Sequence, residues 1–224
     1  MDDIYIFGDS ISRGHYGIAY SDFLKNKAVI RGYDGATLKQ ILSYAFVKKI
    51  PFGSTLVIQG GANDVLYDYL SSYENGWTSF LARRGIRQDH VLDEDELIDS
   101  LTSLRENRKL NHIFLCNVMI ESPLVYSYVG SVNESIRKIA QACDASIIDL
   151  SSLIDSTVKT GSYLPESPVQ LEKDASYIDG DPERSEKLST ERSLFLSIDG
   201  IHPNKRGAVM IADKIDNALG RYFS

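Results

Sequence analysis

Apolar and polar positions along the chain follow two alternating rhythms. Short apolar runs recur at Ile4-Tyr5-Ile6-Phe7, Ala28-Val29-Ile30, Thr55-Leu56-Val57-Ile58, His112-Ile113-Phe114-Leu115-Cys116 and Ile147-Ile148. Runs this short, bounded by turn residues, predict buried strands. The first three lead into glycine-bearing polar turns: Gly8 to Gly14, Arg31 to Thr37 and Gly60 to Asp64. Between the runs the apolar spacing changes to three and four residues. Ala19 to Lys27 predicts a short helix with Phe23 and Leu24 facing in. Longer helical stripes carry Leu38, Ile41, Leu42, Ala45 and Phe46, then Leu97, Ile98, Leu101 and Leu104. Two more carry Val132, Ile136, Ile139 and Ala140, then Ala208, Ile211, Ala212, Ile215 and Leu219. Strands alternating with helices predict a parallel sheet covered on both faces.

Local chemistry sharpens the boundaries. Pro51 and Gly53 close the second helix. Asp93 with Glu96, and Ser131 with Glu134, each have the spacing of a capping box. Pro203 suits the first turn of the last helix, where a missing N–H is harmless. Two stretches break the alternation. Residues from about 65 to 90 are irregular and aromatic, with Tyr67, Tyr69, Tyr73, Trp77 and Phe80, then Arg83, Arg84 and Arg87. Their rings fit a lid, a pocket wall or plain packing under a loop, and their cations a solvated face or an anion contact. Residues from about 160 to 193 are polar, with Pro165, Pro168 and Pro182, and read as a surface excursion. No repeat or internal boundary stands out, so 1–224 reads as a single domain with two irregular insertions.

Composition narrows the class. At 43% hydrophobic and 25% charged residues, the chain reads as an ordinary soluble globular protein. A net charge of −7 repels polyanions, which makes nucleic acid and anionic membranes poor partners. Cys116 and Cys143 read as small buried hydrophobes, with a disulfide between them left open. Met1-Asp2-Asp3 lacks a basic leader, and no membrane span is visible, so a cytoplasmic location is expected. No Cys/His cluster has zinc spacing, and Asp179-Gly180-Asp181 lacks the other ligands of a calcium loop. No metal or cofactor is expected.

A serine needs a base to become a nucleophile, and a histidine base needs an acceptor to fix its tautomer. Ser10 lies just past the first strand, where open α/β sheets place ligands. Of four histidines, His112 begins a strand, His90 lies in the irregular segment, and His15 has no carboxylate at a suggestive spacing. His202 follows Asp199 by three residues across Gly200. Alone, Asp199-x-x-His202 is equally an aspartate turn before a helix, Ser10 a helix cap and Asn63 a turn residue. Their joint occurrence in this order is what favours chemistry.

Gly8-Asp9-Ser10, the Gly35 turn, Gly61-Ala62-Asn63-Asp64 and Asp199-Gly200-Ile201-His202 resemble the four sequence blocks of the SGNH (GDSL-type) hydrolases. The blocks span nearly the whole chain. The resemblance implies a three-layer α/β/α flavodoxin-like fold with a five-stranded parallel sheet of order 2-1-3-4-5. It implies an ester-cleaving site with Ser10 as nucleophile, His202 as general base and Asp199 as its orienting partner. The Ser10 and Gly35 backbone N–H groups and the Asn63 amide would form the oxyanion hole, with Gly32 a second choice beside Gly35. The expected substrate is a small-molecule, carbohydrate or lipid ester. An acyltransferase with the same triad, or a non-catalytic ligand-binding module on the same scaffold, would share these features.

Overall fold

A computed structural model describes residues 3–70, 77–83, 92–154 and 160–223. Five parallel strands form one sheet: β1 (Ile4–Gly8), β2 (Ala28–Gly32), β3 (Thr55–Gln59), β4 (His112–Cys116) and β5 (Ser146–Ile148). Their order is β2-β1-β3-β4-β5, the flavodoxin-like arrangement expected from the sequence. The helices are α1 (Ser10–Arg13), α2 (Leu38–Val47), α3 (Ala62–Leu70), α4 (Trp77–Arg83) and α5 (Glu94–Arg108). They continue with α6 (Tyr126–Ala142), α7 (Pro168–Ile178), α8 (Pro182–Glu191) and α9 (Lys205–Phe223). One row of helices is formed by α2, α5, α6 and α3, while α9 packs against α8, β5 and a 3₁₀ turn at Tyr20–Phe23.

Strand β3 sits in the middle of the sheet and every residue of it is buried, which explains its unbroken apolar run. The second run is different. Strand β2 is the sheet edge and alternates between half-buried and exposed residues, with Val29 41% exposed. It is not the buried strand its composition predicts, because nothing pairs on its outer side in the sheet.

The register fixes what the sheet presents at its carboxyl end. Gly8 lies opposite both Gly32 of β2 and Gln59 of β3, and Gln59 lies opposite Cys116 of β4. The chain segments leaving β1, β2 and β3 therefore emerge side by side, at the crevice where strand order reverses.

Several local expectations change. The helix predicted over Ala19 to Lys27 is only the 3₁₀ turn, because Asp216 of α9 captures the next donors. Its carboxylate accepts Lys25 N at 2.8 Å, Asn26 N at 3.1 Å and Asn26 Nδ2 at 2.8 Å. Phe46 is 46% exposed, outside the stripe of α2 that buries Leu38, Ile41, Leu42 and Ala45. Asp93 caps α5 by accepting Glu96 N at 3.1 Å, but Glu96 pairs with Lys39 at 2.7 Å rather than closing a box. Ser131 is not a cap: α6 starts five residues earlier, and the Ser131 hydroxyl donates to Ser127 O. Pro203 lies ahead of the first turn of α9 and not in it: the helix begins at Lys205, and Asn204 caps it, accepting Gly207 N at 2.8 Å.

The two insertions are more regular than predicted. The aromatic stretch continues α3 to Leu70 and adds α4. Tyr67 is buried and Tyr69 and Phe80 are half-buried, while Arg83 is exposed. Tyr73, Arg84, Arg87 and His90 lie outside the described residues, as does the side chain of Trp77. The polar stretch 160–193 holds α7 and α8. Each begins with proline after a side-chain cap, Ser167 or Asp181, so its prolines start helices rather than prevent them. Asp179 and Asp181 serve the turn between these helices. Cys116 and Cys143 are both free and buried. Among the described residues, no helix is long and apolar enough to cross a membrane.

Candidate active site

Strand β1 ends at Gly8, and the chain turns at once into α1. A Cβ at Gly8 would lie 2.1 Å from Ser12 Oγ and 2.8 Å from Gln59 O, so only glycine permits the turn. Asp9 then caps α1, its Oδ1 accepting Ile11 N at 2.9 Å. The cap the sequence suggested for Ser10 is thus supplied by Asp9. Ser10 occupies the first helical turn, and its hydroxyl lies 2.9 Å from His202 Nε2.

The other half of the pair comes from the loop before α9. Asp199 Oδ1 accepts Ile201 N at 2.9 Å and His202 N at 2.7 Å, and Oδ2 lies 2.7 Å from His202 Nδ1. The aspartate turn and the aspartate–histidine pair, alternatives in the sequence, are one object. Gly200 allows it, with φ of 89° and no room for a Cβ, which would meet Tyr163 O at 2.5 Å. Asp199 is fully buried and His202 nearly so. An ionised carboxylate only accepts, so Nδ1 carries the proton and the Nε2 lone pair faces the Ser10 hydroxyl.

Electrostatics follow from this burial. Burial pushes the Asp199 carboxyl up, but the His202 charge, the ring N–H and two backbone N–H groups outweigh it and hold Asp199 below the usual carboxylate range. Burial opposes the His202 cation, but the charge and hydrogen bond of Asp199, backed by Asp9 and Asp34, raise its pKa above the ordinary 6.5. Asp9 is pushed up to about 6, chiefly by burial.

The remaining expected residues converge on the same place. Ser10, Gly35, Asn63 and His202 line one recess, walled by Tyr16, Leu66, Leu70, Leu164, Leu171 and Ile201 among others. Asn63 stands in the first turn of α3, not in a loop, and one of its amide N–H groups donates to Ala36 O at 3.0 Å. The amide carries a second N–H. Asp64 accepts Leu38 N at 3.0 Å, so two neighbouring residues of α3 hold the Gly35 turn in place. Gly32 ends β2 against the backbone of Arg13 and does not line the recess.

The chain also matches the family model described as GDSL-like Lipase/Acylhydrolase over residues 4–215. The chain belongs to the GDSL-like lipase/acylhydrolase family. Membership makes it a carboxylic ester hydrolase of the serine type. No curated protein sequence matches it. Among solved structures, it is similar to a possible lipase from Chitinophaga pinensis, at 17% identity over 98% of each chain and a TM-score of 0.58. A putative GDSL-like lipase from Parabacteroides merdae is 18% identical over 98% of this chain and 96% of that one, with a TM-score of 0.57. An acetylxylan esterase from Geobacillus stearothermophilus is 16% identical over 98% and 93%, with a TM-score of 0.55. At these identities the likeness is one of fold.

Around this GDSL-type site stand residues that no motif marks. Glu121, buried after β4, accepts Leu196 N and Ser197 N at 2.9 Å, Ser197 Oγ at 2.6 Å, and Phe195 N. Arg192 donates to Ile198 O at 2.7 Å, pairs with Asp174 at 2.8 Å and lies 4.0 Å from the Tyr163 ring centroid. The Tyr16 ring packs 5.1 Å from that of His202. His15 does have a carboxylate, contrary to its sequence spacing: Asp34 Oδ2 is 2.8 Å from its Nδ1 and 2.7 Å from Arg13 Nη1. That cluster joins α1 to the residue before Gly35. His112 packs at 5.0 Å from the Tyr222 ring, a structural place. The only signal for Glu121 was an acidic residue just past an apolar strand, which is too common to select it.

Proposed function

We propose that Ser10 attacks the ester carbonyl and that the reaction passes through an acyl-enzyme. The Ser10 Oγ–H proton moves to His202 Nε2 as the Oγ–carbon bond forms. Asp199 holds the ring and stabilises the imidazolium. The Ser10 and Gly35 N–H groups and the second Asn63 N–H donate to the oxyanion. The carbonyl re-forms, the carbon–oxygen bond to the alcohol breaks, and His202 returns its proton to the leaving alkoxide. Water then attacks the acyl-enzyme with His202 again as base, releasing the carboxylic acid and free Ser10.

The observation that carries this reading is the relay from Asp199 Oδ2 to His202 Nδ1 at 2.7 Å and from His202 Nε2 to Ser10 Oγ at 2.9 Å, the second step joining groups 192 residues apart. An aspartate turn, a helix cap and a turn asparagine do not predict that meeting. The test is labelling with a fluorophosphonate, alongside turnover of p-nitrophenyl butyrate by the Ser10→Ala protein. The expected result is one label per chain, on Ser10, and only background turnover in the variant. Label elsewhere, or undiminished turnover, overturns the assignment.

For location, we propose the reducing cytoplasm. Two unpaired, buried cysteines support it, and burial pushes both thiols up, away from reactive thiolates. Recovery of the native protein outside the cytoplasmic fraction would refute it.

A further inference from the structure

The recess at Ser10 is small, and this sets which side of the ester it takes. Its volume is about 40 Å³. Beyond the reacting groups its walls are nearly all hydrocarbon, from α3, α7 and the loop carrying Leu164 and Pro165.

A much larger groove adjoins it. This one holds about 340 Å³ and shares Leu70, Leu164 and Pro165 with the recess. It adds Tyr69, Tyr163, Ser162 and Glu166, a mixture of ring faces and polar groups. The two differ in both volume and polarity. We propose that the recess is an acyl pocket for a short unbranched acyl group of about two to four carbons, and that the groove carries the alcohol part of the ester. This rests on the proposed role of Ser10. The walls Leu70, Leu164 and Leu171 come from the two stretches whose sequences read as irregular insertions or their edge, so those stretches set the chain-length limit.

The test compares kcat/KM for p-nitrophenyl acetate, butyrate, octanoate and dodecanoate, each with fluorophosphonate titration of Ser10. Acetate or butyrate is expected to lead, with octanoate lower by about tenfold or more, since a methylene that does not fit its pocket costs about that factor. Leu164→Ala and Leu171→Ala should each raise the octanoate-to-acetate ratio by about tenfold; Leu164 is only half-buried, so its variant keeps the test alive if Leu171→Ala fails to fold. In a second series, acetates of ethanol, butanol and octanol should differ by less than about threefold. An octanoate optimum in the parent protein overturns the proposal. So does an unchanged ratio in the folded variants, or rejection of octyl acetate alongside acceptance of octanoate. No Ser10 label and no turnover of any ester removes the hydrolytic role of Ser10 instead.

Discussion

Glu121 Oε2 accepts the Ser197 hydroxyl at 2.6 Å, and that same Ser197 oxygen accepts Gly200 N at 3.1 Å. A carboxylate on the loop after β4 thus reaches, through one hydroxyl, the residue between Asp199 and His202. Glu121 N also donates to Gly200 O at 2.7 Å. The loop carrying His202 is thus held by both the side chain and the backbone N–H of one buried residue. Charge-assisted bonds of this kind are shorter and stronger than neutral ones.

Glu121→Gln is therefore expected to reduce kcat by about 100-fold with little change in KM, because a small misplacement of a reacting group is enough for that loss. Glutamine replaces an acceptor oxygen with a donor and meets backbone N–H groups that already donate. Steady-state kinetics on folded protein and the pH profile check this. A fall in thermal stability with kcat and the acid limb unmoved would make Glu121 merely structural.

Asn63→Ala removes the proposed oxyanion donor and the tie to Ala36 together. The expected loss in kcat is about 100- to 1,000-fold, or about 2.7–4 kcal/mol of transition-state stabilisation. Circular dichroism should show the fold retained, since Asp64 still holds Leu38 N. Near-parental kcat would take Asn63 out of the oxyanion hole.

The pH dependence has a defined sign. In the proposed role of base, His202 must be neutral to accept a proton, and its pKa is raised above 6.5. The acid limb of kcat/KM should thus have its midpoint above 6.5, with activity lost as pH falls through it. Asp199→Asn removes the partner that raises it, which leaves burial to push the limb downward. The same change favours the wrong tautomer, costing about 10⁴-fold in kcat. A limb that stays in place in this variant would mean another group is titrating.

The sheet was legible from the sequence because its strands are short apolar runs cut by glycine, a pattern that burial on both faces enforces. Strand β2 deceived because an edge strand can be apolar without being covered. Ser10, Asn63, Asp199 and His202 were legible only together: each alone is an ordinary cap or turn residue, and their order along the chain is what singled them out. Glu121, Asp34 and Tyr16 were not, since their roles depend on partners 19 to 156 residues away or on ring packing that no local spacing encodes. The helices α7 and α8 were hidden by their prolines and charges, which mark helix starts and solvated faces as readily as loops.

Asp9 offers the last prediction, since it joins stability to the site. It is fully buried, and burial raises its pKa from 3.8 to about 6. Below pH 3.8 it is protonated whether the chain is folded or not, and it adds no pH dependence. Between 3.8 and about 6 the folded chain keeps the proton that the unfolded chain releases. The folded state then binds more protons, so stability falls as pH rises. Above about 6 the cost is complete, on the order of 3 kcal/mol. Asp9→Asn keeps an oxygen for Ile11 N, and asparagine caps helices as well as aspartate does. It should abolish this part of the slope, so that in urea unfolding the variant gains on the parent from about pH 4 to about pH 6 and the difference then levels off. Asp64, also pushed up to about 6, chiefly by burial, is present in both proteins, so only the smaller part of its shift that comes from the Asp9 charge enters the difference. The acid limb of activity should move down as well, because the Asp9 charge is one of those that raise the His202 pKa. Parallel stability curves for the two proteins across this range would show that Asp9 is ionised at little cost, and the account of its burial would be wrong.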